Sequence, residues 1–323
     1  MPGLPDPNTL PLPALYDSFR STGLIRLLLL TARWEDLGPE WRADAEDVSG
    51  AGDITSVVSV SADAVGVADV VFRKGGVVAG LAAVPDVLGM FAPGCSCDFA
   101  ARDGQEVPAG AIVATLKGPK RQLLAAERTL LNLVARLSGV ATRTALFRSV
   151  LPAGTKARLY DTRKTTPGMR VLEKYAVRCG GGFCHRLGLH DAVLIKDNHV
   201  AGVPARGFAA FVAAAAQRAR EMRKTSGLQF VQVEVTTLEQ LREVLSLPEG
   251  LIDIVLLDNM TPATMREASA LRDRQAPGVE LEASGGINLE TIAEVASTGV
   301  DRISVGSLTH GVVSLDVALE MRA

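Results

Sequence analysis

Cysteine is scarce, with only Cys95, Cys97, Cys179 and Cys184 in 323 residues. These outline no disulfide framework and no pair of C-x-x-C knuckles, so reduced thiols are expected and a structural zinc is not. Charge of one sign is lacking too. With 34 basic and 36 acidic residues the formal net charge is −2, which offers no overall attraction to nucleic acid or an anionic membrane. Any anion site must therefore be local. The longest apolar stretch with a helical look, 208–216, is about half of a membrane crossing. The start, MPGLPDPNTLPLP, has no basic segment followed by an apolar core, so no signal peptide is expected. No G-x-G-x-x-G opens a strand–helix unit, which weakens a dinucleotide-binding reading. A soluble, cytoplasmic protein is the expectation.

What is present is length and apolar residues. The chain exceeds the roughly 100–200 residues of one typical domain, and 47% apolar residues are ample for a buried core. Residues 1–14 carry proline at 2, 5, 7, 11 and 13, a pattern that denies regular structure and predicts a flexible tail. Residues 15–37 read as an amphipathic helix weakened at Gly23. The phrase EDVSGAGDITS at 46–56 reads as a polar loop whose Asp53 and Thr55 serve a turn or a helix cap. From Val57 to Leu116 short Val- and Ala-rich segments punctuated by Gly, Pro and Asp predict a small sheet, with DGQEVPAGAIVATLKG as a hairpin-like unit bent at 108–110. From Lys120 the pattern is helical, with Leu123, Leu130, Val134 and Leu137 near one face. Arg128 falls toward the opposite face, where it reads locally as a solvated or salt-bridged side chain. Gly139 predicts a break or a close helix contact.

From 156 onward a strand-then-helix rhythm sets in. The strand phrases are ARLYDTRK (157–164), AVLIKDNH (192–199), FVQVEVT (230–236), DIVLLDN (253–259), VELEASGG (279–286) and DRISVGS (301–307). Helical phrases lie between several of them, which argues for a parallel sheet covered by helices. Polar residues recur at the C-terminal ends of the strands, the pattern of a barrel rather than an open nucleotide-binding sheet.

Those strand ends assemble, on a barrel, into one rim of Asp161, Arg163, Lys164, Lys196, His199, Glu234, Asp258, Asn259, Ser284, Gly285, Gly286 and Gly306. Arg163, Arg186 and Lys196 suit a polycarboxylate or a phosphate, because guanidinium forks match such anions. Glu234 and Asp258, on adjacent strands, suit a hard cation such as Mg²⁺. Each also has a tamer explanation: Asp258 and Asn259 could cap a helix, and Lys196 could pair with an acid. The glycines of ASGGIN (283–288) and SVGSLT (304–309) offer backbone N–H groups beside a helix start, the usual phosphate cradle after the late strands of a barrel.

DTRKTTPGMRVLEKYAV followed by GGG, HR and LIKDNH, with AERTLLNLVARLSGVAT before it and VEV, LLDN, SGGI and SVGSLTH after it, resembles the quinolinate phosphoribosyltransferase family over about 46–316. The resemblance implies a type II phosphoribosyltransferase of α/β class. It would have an N-terminal α/β sandwich (15–131 plus the returning segment 308–323) and an irregular α/β barrel (132–307). It implies transfer from 5-phosphoribosyl 1-diphosphate to quinolinate with decarboxylation, Mg²⁺ as cofactor, and a homodimer or larger oligomer with a shared active site. By the same resemblance Arg128 reaches the quinolinate carboxylates from the partner subunit, against its local reading. Arg163, Arg186 and Lys196 would supply the other substrate-holding cations, with His185 beside the pyridine ring. Lys164 would lie near the diphosphate, Glu234 and Asp258 would face the ribose and its magnesium, and Ser284, Gly285, Gly286 and Gly306 would cradle the 5-phosphate. Cys184 stands where relatives often have Asn and Gly311 where Ser is common; both are expected to tune activity rather than abolish it. Two rival readings remain. A related phosphoribosyltransferase acting on nicotinate is disfavoured by cations suited to two carboxylates. A Schiff-base aldolase using Lys196 is disfavoured by the crowd of neighbouring charges.

Overall fold

The computed structural model describes residues 4–38, 52–223 and 226–322. The first elements are α1 (Leu12–Ser21), α2 (Leu24–Leu37), α3 (Ile54–Ser59), β1 (Val65–Phe72), β2 (Gly76–Val77), α4 (Val84–Phe91), β3 (Ser96–Phe99), β4 (Glu106–Val107) and β5 (Ala111–Pro119). Next come α5 (Lys120–Ser149), β6 (Arg158–Tyr160), α6 (Arg170–Cys179), β7 (Val193–Ile195), α7 (Asp197–Val200), α8 (Phe208–Arg223) and β8 (Val231–Val235). The last are α9 (Leu238–Leu245), β9 (Ile254–Asp258), α10 (Pro262–Gln275), β10 (Glu280–Ser284), α11 (Ile292–Ala296), β11 (Arg302–Ser304) and β12 (Val317–Met321).

The chain divides into two compact units. One comprises Leu10–Ala145, Thr165–Gly181 and Thr309–Ala323, the other Met1–Thr9, Leu146–Lys164 and Gly182–Leu308. This division departs from the boundaries expected at 131/132 and 307/308 for a physical reason: α5 runs unbroken to Ser149 and α6 packs on α1 and α2.

In the first unit a four-stranded sheet has the order β12-β1-β5-β3, and β1 pairs antiparallel with both neighbours. Asp69 of β1 accepts from Arg322 Nε at 2.8 Å and from Thr115 Oγ1 at 2.7 Å, tying three strands together. The helix expected over 15–37 is two helices. Gly23, at φ 78°, takes the left-handed conformation that ends α1 and starts α2, which buries Leu15, Tyr16 and Phe19 on one helix and Ile25 and Leu29 on the other. The proline-rich tail is also corrected in part, since α1 begins at Leu12 with proline in its first turn, where a missing N–H costs no hydrogen bond. Residues 46–51 of the expected polar loop lie outside the described residues; Asp53 caps α3 by accepting from Ser56 N at 3.0 Å. The hairpin reading of 103–118 fails. The chain turns at 108–110, but β4 pairs with β2 and β5 with β1 and β3. At Gly139 α5 does not break, and the close contact is with the 312–314 segment: a Cβ there would stand 2.5 Å from the Val313 carbonyl oxygen.

The second unit is a six-stranded, wholly parallel sheet in the order β6-β11-β10-β9-β8-β7. Neighbouring strands β7 to β11 follow one another in the chain with α8, α9, α10 and α11 between them, and β6 returns beside β11. That is the strand order of an α/β barrel opened between its first two strands; among the described residues no ladder joins β6 to β7. Apolar side chains such as Val231, Val233, Val255, Leu257, Leu281 and Ala283 are fully buried, as strands covered by helices require. Asn8 is held in this unit as well, donating to the Cys184 carbonyl at 2.9 Å and accepting from the Cys184 N–H at 2.7 Å. None of the four cysteines is in a disulfide.

Candidate active site

The parallel sheet brings Arg163, Lys164, His185, Arg186, Lys196, Glu234, Asp258, Ser284, Gly285, Gly286 and Gly306 into one unit. Their positions follow from strand register. Ser284 lies opposite Asp258 across β10 and β9, and Val235 opposite Leu257 across β8 and β9, so Glu234, next to last on β8, and Asp258, last on β9, stand near the finishing ends of adjacent strands. Lys196 follows the last residue of β7, and Ile195 is opposite Val233. Arg128 lies in the other unit, on α5; its side chain is 66% exposed and its guanidinium is 3.9 Å from the Glu127 carboxylate, as its local reading expected.

Beside β6, residues 183–186 are laid down like a short extra edge. Phe183 N donates to the Leu159 carbonyl at 2.8 Å and Asp161 N to the Phe183 carbonyl at 3.0 Å. Fully buried Asp161 then accepts the His185 N–H at 2.7 Å. The His185 ring is buried. Its Nδ1 accepts from Arg186 N at 2.7 Å, its Nε2 stands 3.2 Å from Glu282 Oε1, and its edge meets the Phe230 ring at 5.6 Å between centroids. Arg186 is buried and donates to the Ala192 carbonyl at 3.3 Å. Burial lowers its pKa from the usual arginine value, the positive charge of Arg163 lowers it further, and Asp191 opposes both. Arg163 and Arg186 belong to the same unit of the fold, and two guanidiniums suit an anion with two negative groups.

On the next strands Lys196 Nζ donates to Glu234 Oε2 at 2.5 Å. Lys196 remains 42% exposed while Glu234 is 7% exposed, so the lysine covers the carboxylate from the solvent side. Asp258 accepts from Asn259 Nδ2 at 2.8 Å. Asn259 is the one non-glycine residue with positive φ among the described residues, at 53°. Its N–H donates to the Ser284 carbonyl at 2.9 Å, and a Cβ on Gly285 would overlap its side-chain oxygen. Glycine is therefore required at 285 both for space and for its φ of 92°. The expectation of a helix start beside each glycine loop is corrected. Asn288, by accepting from Glu290 N at 2.9 Å and Thr291 N at 3.1 Å, turns the chain before the short α11, and Gly306–Leu308 is a 3-10 turn.

Two interior residues escaped the sequence reading. Glu282 is fully buried on β10, and Arg302, opposite it on β11, donates from Nε to Glu282 Oε2 at 2.8 Å. Burial alone would raise the Glu282 carboxyl, but the His185 ring and the Arg302 guanidinium outweigh burial and hold it at about 2. Burial likewise opposes the charge of Arg302, whose pKa is nonetheless raised by Glu282, Tyr160 and Glu280. The available signal was the alternation Glu280, Glu282, Ser284 within an otherwise apolar strand, which places polar groups on one buried face.

Among the described residues no group of three or more His, Cys, Asp or Glu is placed to hold a metal ion. The Glu234 and Asp258 carboxylates suit a hard cation that keeps most of its ligands from water and substrate, the usual manner of Mg²⁺ with phosphates. No helix among the described residues is long and apolar enough to cross a membrane.

Comparison with known proteins gives consistent matches over both units. Residues 53–138 match the family model described as quinolinate phosphoribosyl transferase, N-terminal domain, and residues 140–320 match that family's C-terminal domain. The carboxylating nicotinate-nucleotide pyrophosphorylase of Mycobacterium leprae (strain TN) is 42% identical over 284 residues, 87% of this chain and 95% of that protein. A relative in Arabidopsis thaliana with the same name, designated chloroplastic, is 34% identical and aligned over 86% of this chain and 80% of its own. The solved structure of the nicotinate-nucleotide pyrophosphorylase from Francisella tularensis superposes with a TM-score of 0.80 at 32% identity, covering 99% of this chain and 100% of that one.

Proposed function

The chain belongs to the quinolinate phosphoribosyl transferase family, and from that premise we propose that it transfers the phosphoribosyl group of 5-phosphoribosyl 1-diphosphate to the ring nitrogen of quinolinate. The products are nicotinate mononucleotide, pyrophosphate and CO₂. The observation that carries this reading is that the parallel-sheet unit holds the cations Arg163, Arg186 and Lys196 together with the strand-end carboxylates Glu234 and Asp258. Two carboxylates on adjacent ring carbons suit such cations. A monocarboxylate leaves one buried cation without its counter-charge, a cost of about 1–3 kcal/mol or more.

The remaining roles are those that membership of the family implies for these residues. Arg163, Arg186 and Lys196 hold the quinolinate carboxylates, with His185 at the side of the ring. Lys164 lies toward the diphosphate. Ser284, Gly285, Gly286 and Gly306 supply N–H groups and a hydroxyl to the 5-phosphate. Glu234 and Asp258 face the ribose, where their negative charge stabilises the positive character that grows at C1 as the C1–O bond to pyrophosphate breaks. The Lys196–Glu234 contact of 2.5 Å joins the proposed pyridine-side cation to the proposed ribose-side carboxylate, which supports two substrate positions that abut where the new N–C1 bond forms. Once that bond exists, the ring nitrogen is positive and stabilises the electron pair that stays on C2 as the adjacent carboxylate departs as CO₂; a proton from water then bonds to C2 to give nicotinate mononucleotide. Bound near Glu234 and Asp258, Mg²⁺ would neutralise charge on the diphosphate.

Quinolinate, 5-phosphoribosyl 1-diphosphate and Mg²⁺ incubated with purified protein are expected to yield CO₂ and nicotinate mononucleotide, with nicotinate a far poorer acceptor. Equal rates with the two acids would overturn the assignment. The reading includes a homodimer in which Arg128, 66% exposed in this chain, serves the site of the partner. Arg128→Ala and Lys164→Ala proteins, each inactive, are then expected to regain activity when mixed. Demonstrated subunit exchange without any recovery would exclude the shared site.

A further inference from the structure

The loop that carries Arg186 has its backbone tied down by side chains at four consecutive residues. The N–H of His185 donates to Asp161 at 2.7 Å, that of Arg186 to His185 Nδ1 at 2.7 Å, and those of Leu187 and Gly188 to the two oxygens of Asp191 at 2.6 and 2.8 Å. Three of these acceptors are carboxylate oxygens, which accept as long as the acid is ionised. The fourth is an imidazole nitrogen, which accepts only while the ring proton sits on the other nitrogen.

That other nitrogen faces Glu282. Nε2 of His185 is 3.2 Å from Glu282 Oε1, within ion-pair distance though outside hydrogen-bond geometry, while Glu282 Oε2 accepts from Arg302 Nε at 2.8 Å. Arg302 is itself fixed, its guanidinium lying 3.7 Å from the centroid of the Tyr160 ring and its Nη1 reaching Glu280 at 3.3 Å. An ionised carboxylate can only accept, so the ring proton belongs on Nε2. We propose that Glu282 is a positioning residue: it selects the Nε2–H form of His185, which leaves Nδ1 as a lone pair to hold the backbone of Arg186. The chain of contacts runs from Tyr160 and Arg302 inside the sheet through Glu282 and His185 to the substrate-holding arginine. In this arrangement Nδ1 of His185 is engaged by the Arg186 N–H and Nε2 faces the Glu282 carboxylate. This inference deepens the proposed reaction and rests on it only for the part played by Arg186.

Glu282→Gln tests it sharply. Arg302 Nε is a donor and demands the amide oxygen, which turns the amide NH₂ toward His185 Nε2 and forces that nitrogen to accept. The proton then moves to Nδ1, where it opposes the Arg186 N–H. Long-range ¹H–¹⁵N correlation of the histidine rings, with the His185 signals identified by their loss in His185→Asn, is expected to show Nε2 protonated in the unmodified protein and Nδ1 protonated in Glu282→Gln. KM for quinolinate should rise about tenfold or more, the size of one lost hydrogen bond beside a charged group, while KM for 5-phosphoribosyl 1-diphosphate stays unchanged. Glu282→Asp, which keeps the charge but withdraws it by one methylene, should retain the Nε2–H form and fall between the two. A ring protonated on Nδ1, or on both nitrogens, in unmodified protein at neutral pH would overturn the proposal whether or not any variant folds. So would a Glu282→Gln protein whose two KM values rise together or not at all. Absence of turnover by unmodified protein would remove the reaction, and the ring-nitrogen spectrum would still decide the role of Glu282.

Discussion

The two ends of the parallel sheet use the same residue types differently. Ahead of two strands, a carboxylate answers both a neighbouring strand and an arginine: Asp253 accepts from Val231 N at 2.7 Å and Arg220 at 2.8 Å, and Asp301 accepts from Leu281 N at 2.9 Å and Arg272 at 2.5 Å. Where strands finish, Glu234 meets Lys196 and Asp258 meets Asn259, side chain to side chain. A carboxylate bonded to a backbone N–H is part of the ladder and cannot leave without loosening it. One held by a half-exposed lysine can exchange that partner for a ligand. The difference matches the division of labour in α/β barrels, with stability at one face and chemistry at the other.

The largest effect should come from breaking the finishing end. Glu234→Gln keeps the shape of the side chain but removes the negative charge beside the ribose, and kcat is expected to fall by about 100-fold or more. Its urea midpoint should barely move, since the lost partner is a lysine that water can solvate. Steady-state kinetics beside equilibrium unfolding separates the two, and a variant that loses stability while keeping kcat would erase the distinction between the ends.

Much of this contrast was legible in the sequence because it is local. Strand phrases such as DIVLLDN carry their apolar run and their polar tip together, and β9 ends at Asp258 as that phrase implies. What stayed hidden depends on pairing across the chain. The turn at 108–110 looked like a hairpin because adjacency is the only partner a sequence displays, whereas β4 goes to β2. Helix α4 was missed because VPDVLGMF is short and buries Val84, Val87, Leu88 and Phe91, leaving little periodic polarity to detect. Glu282 and Arg302 were overlooked because two opposite charges on separate strands become a pair only once β10 and β11 are in register. The fold class and the rim were thus readable, while the support beneath the rim required the register of the sheet.

The smaller effect on turnover, and the larger one on stability, belongs to the starting end. Arg272 is 3% exposed and shares its charge between Asp301, Asp273 and the carbonyls of Val279 and Gly299. Asp301→Ala strips that buried arginine of its principal counter-charge and leaves Leu281 N without its carboxylate. Removing one member of a buried pair costs about 3–5 kcal/mol, reduced here toward the lower figure because Asp273 and two carbonyls still contact the guanidinium. The urea midpoint should drop accordingly while the folded fraction keeps its KM for quinolinate, because Asp301 precedes β11 and the proposed ligands follow the strands. A selective loss of quinolinate affinity in this variant, with stability intact, would show that the two ends are not separable in the way their hydrogen bonds indicate.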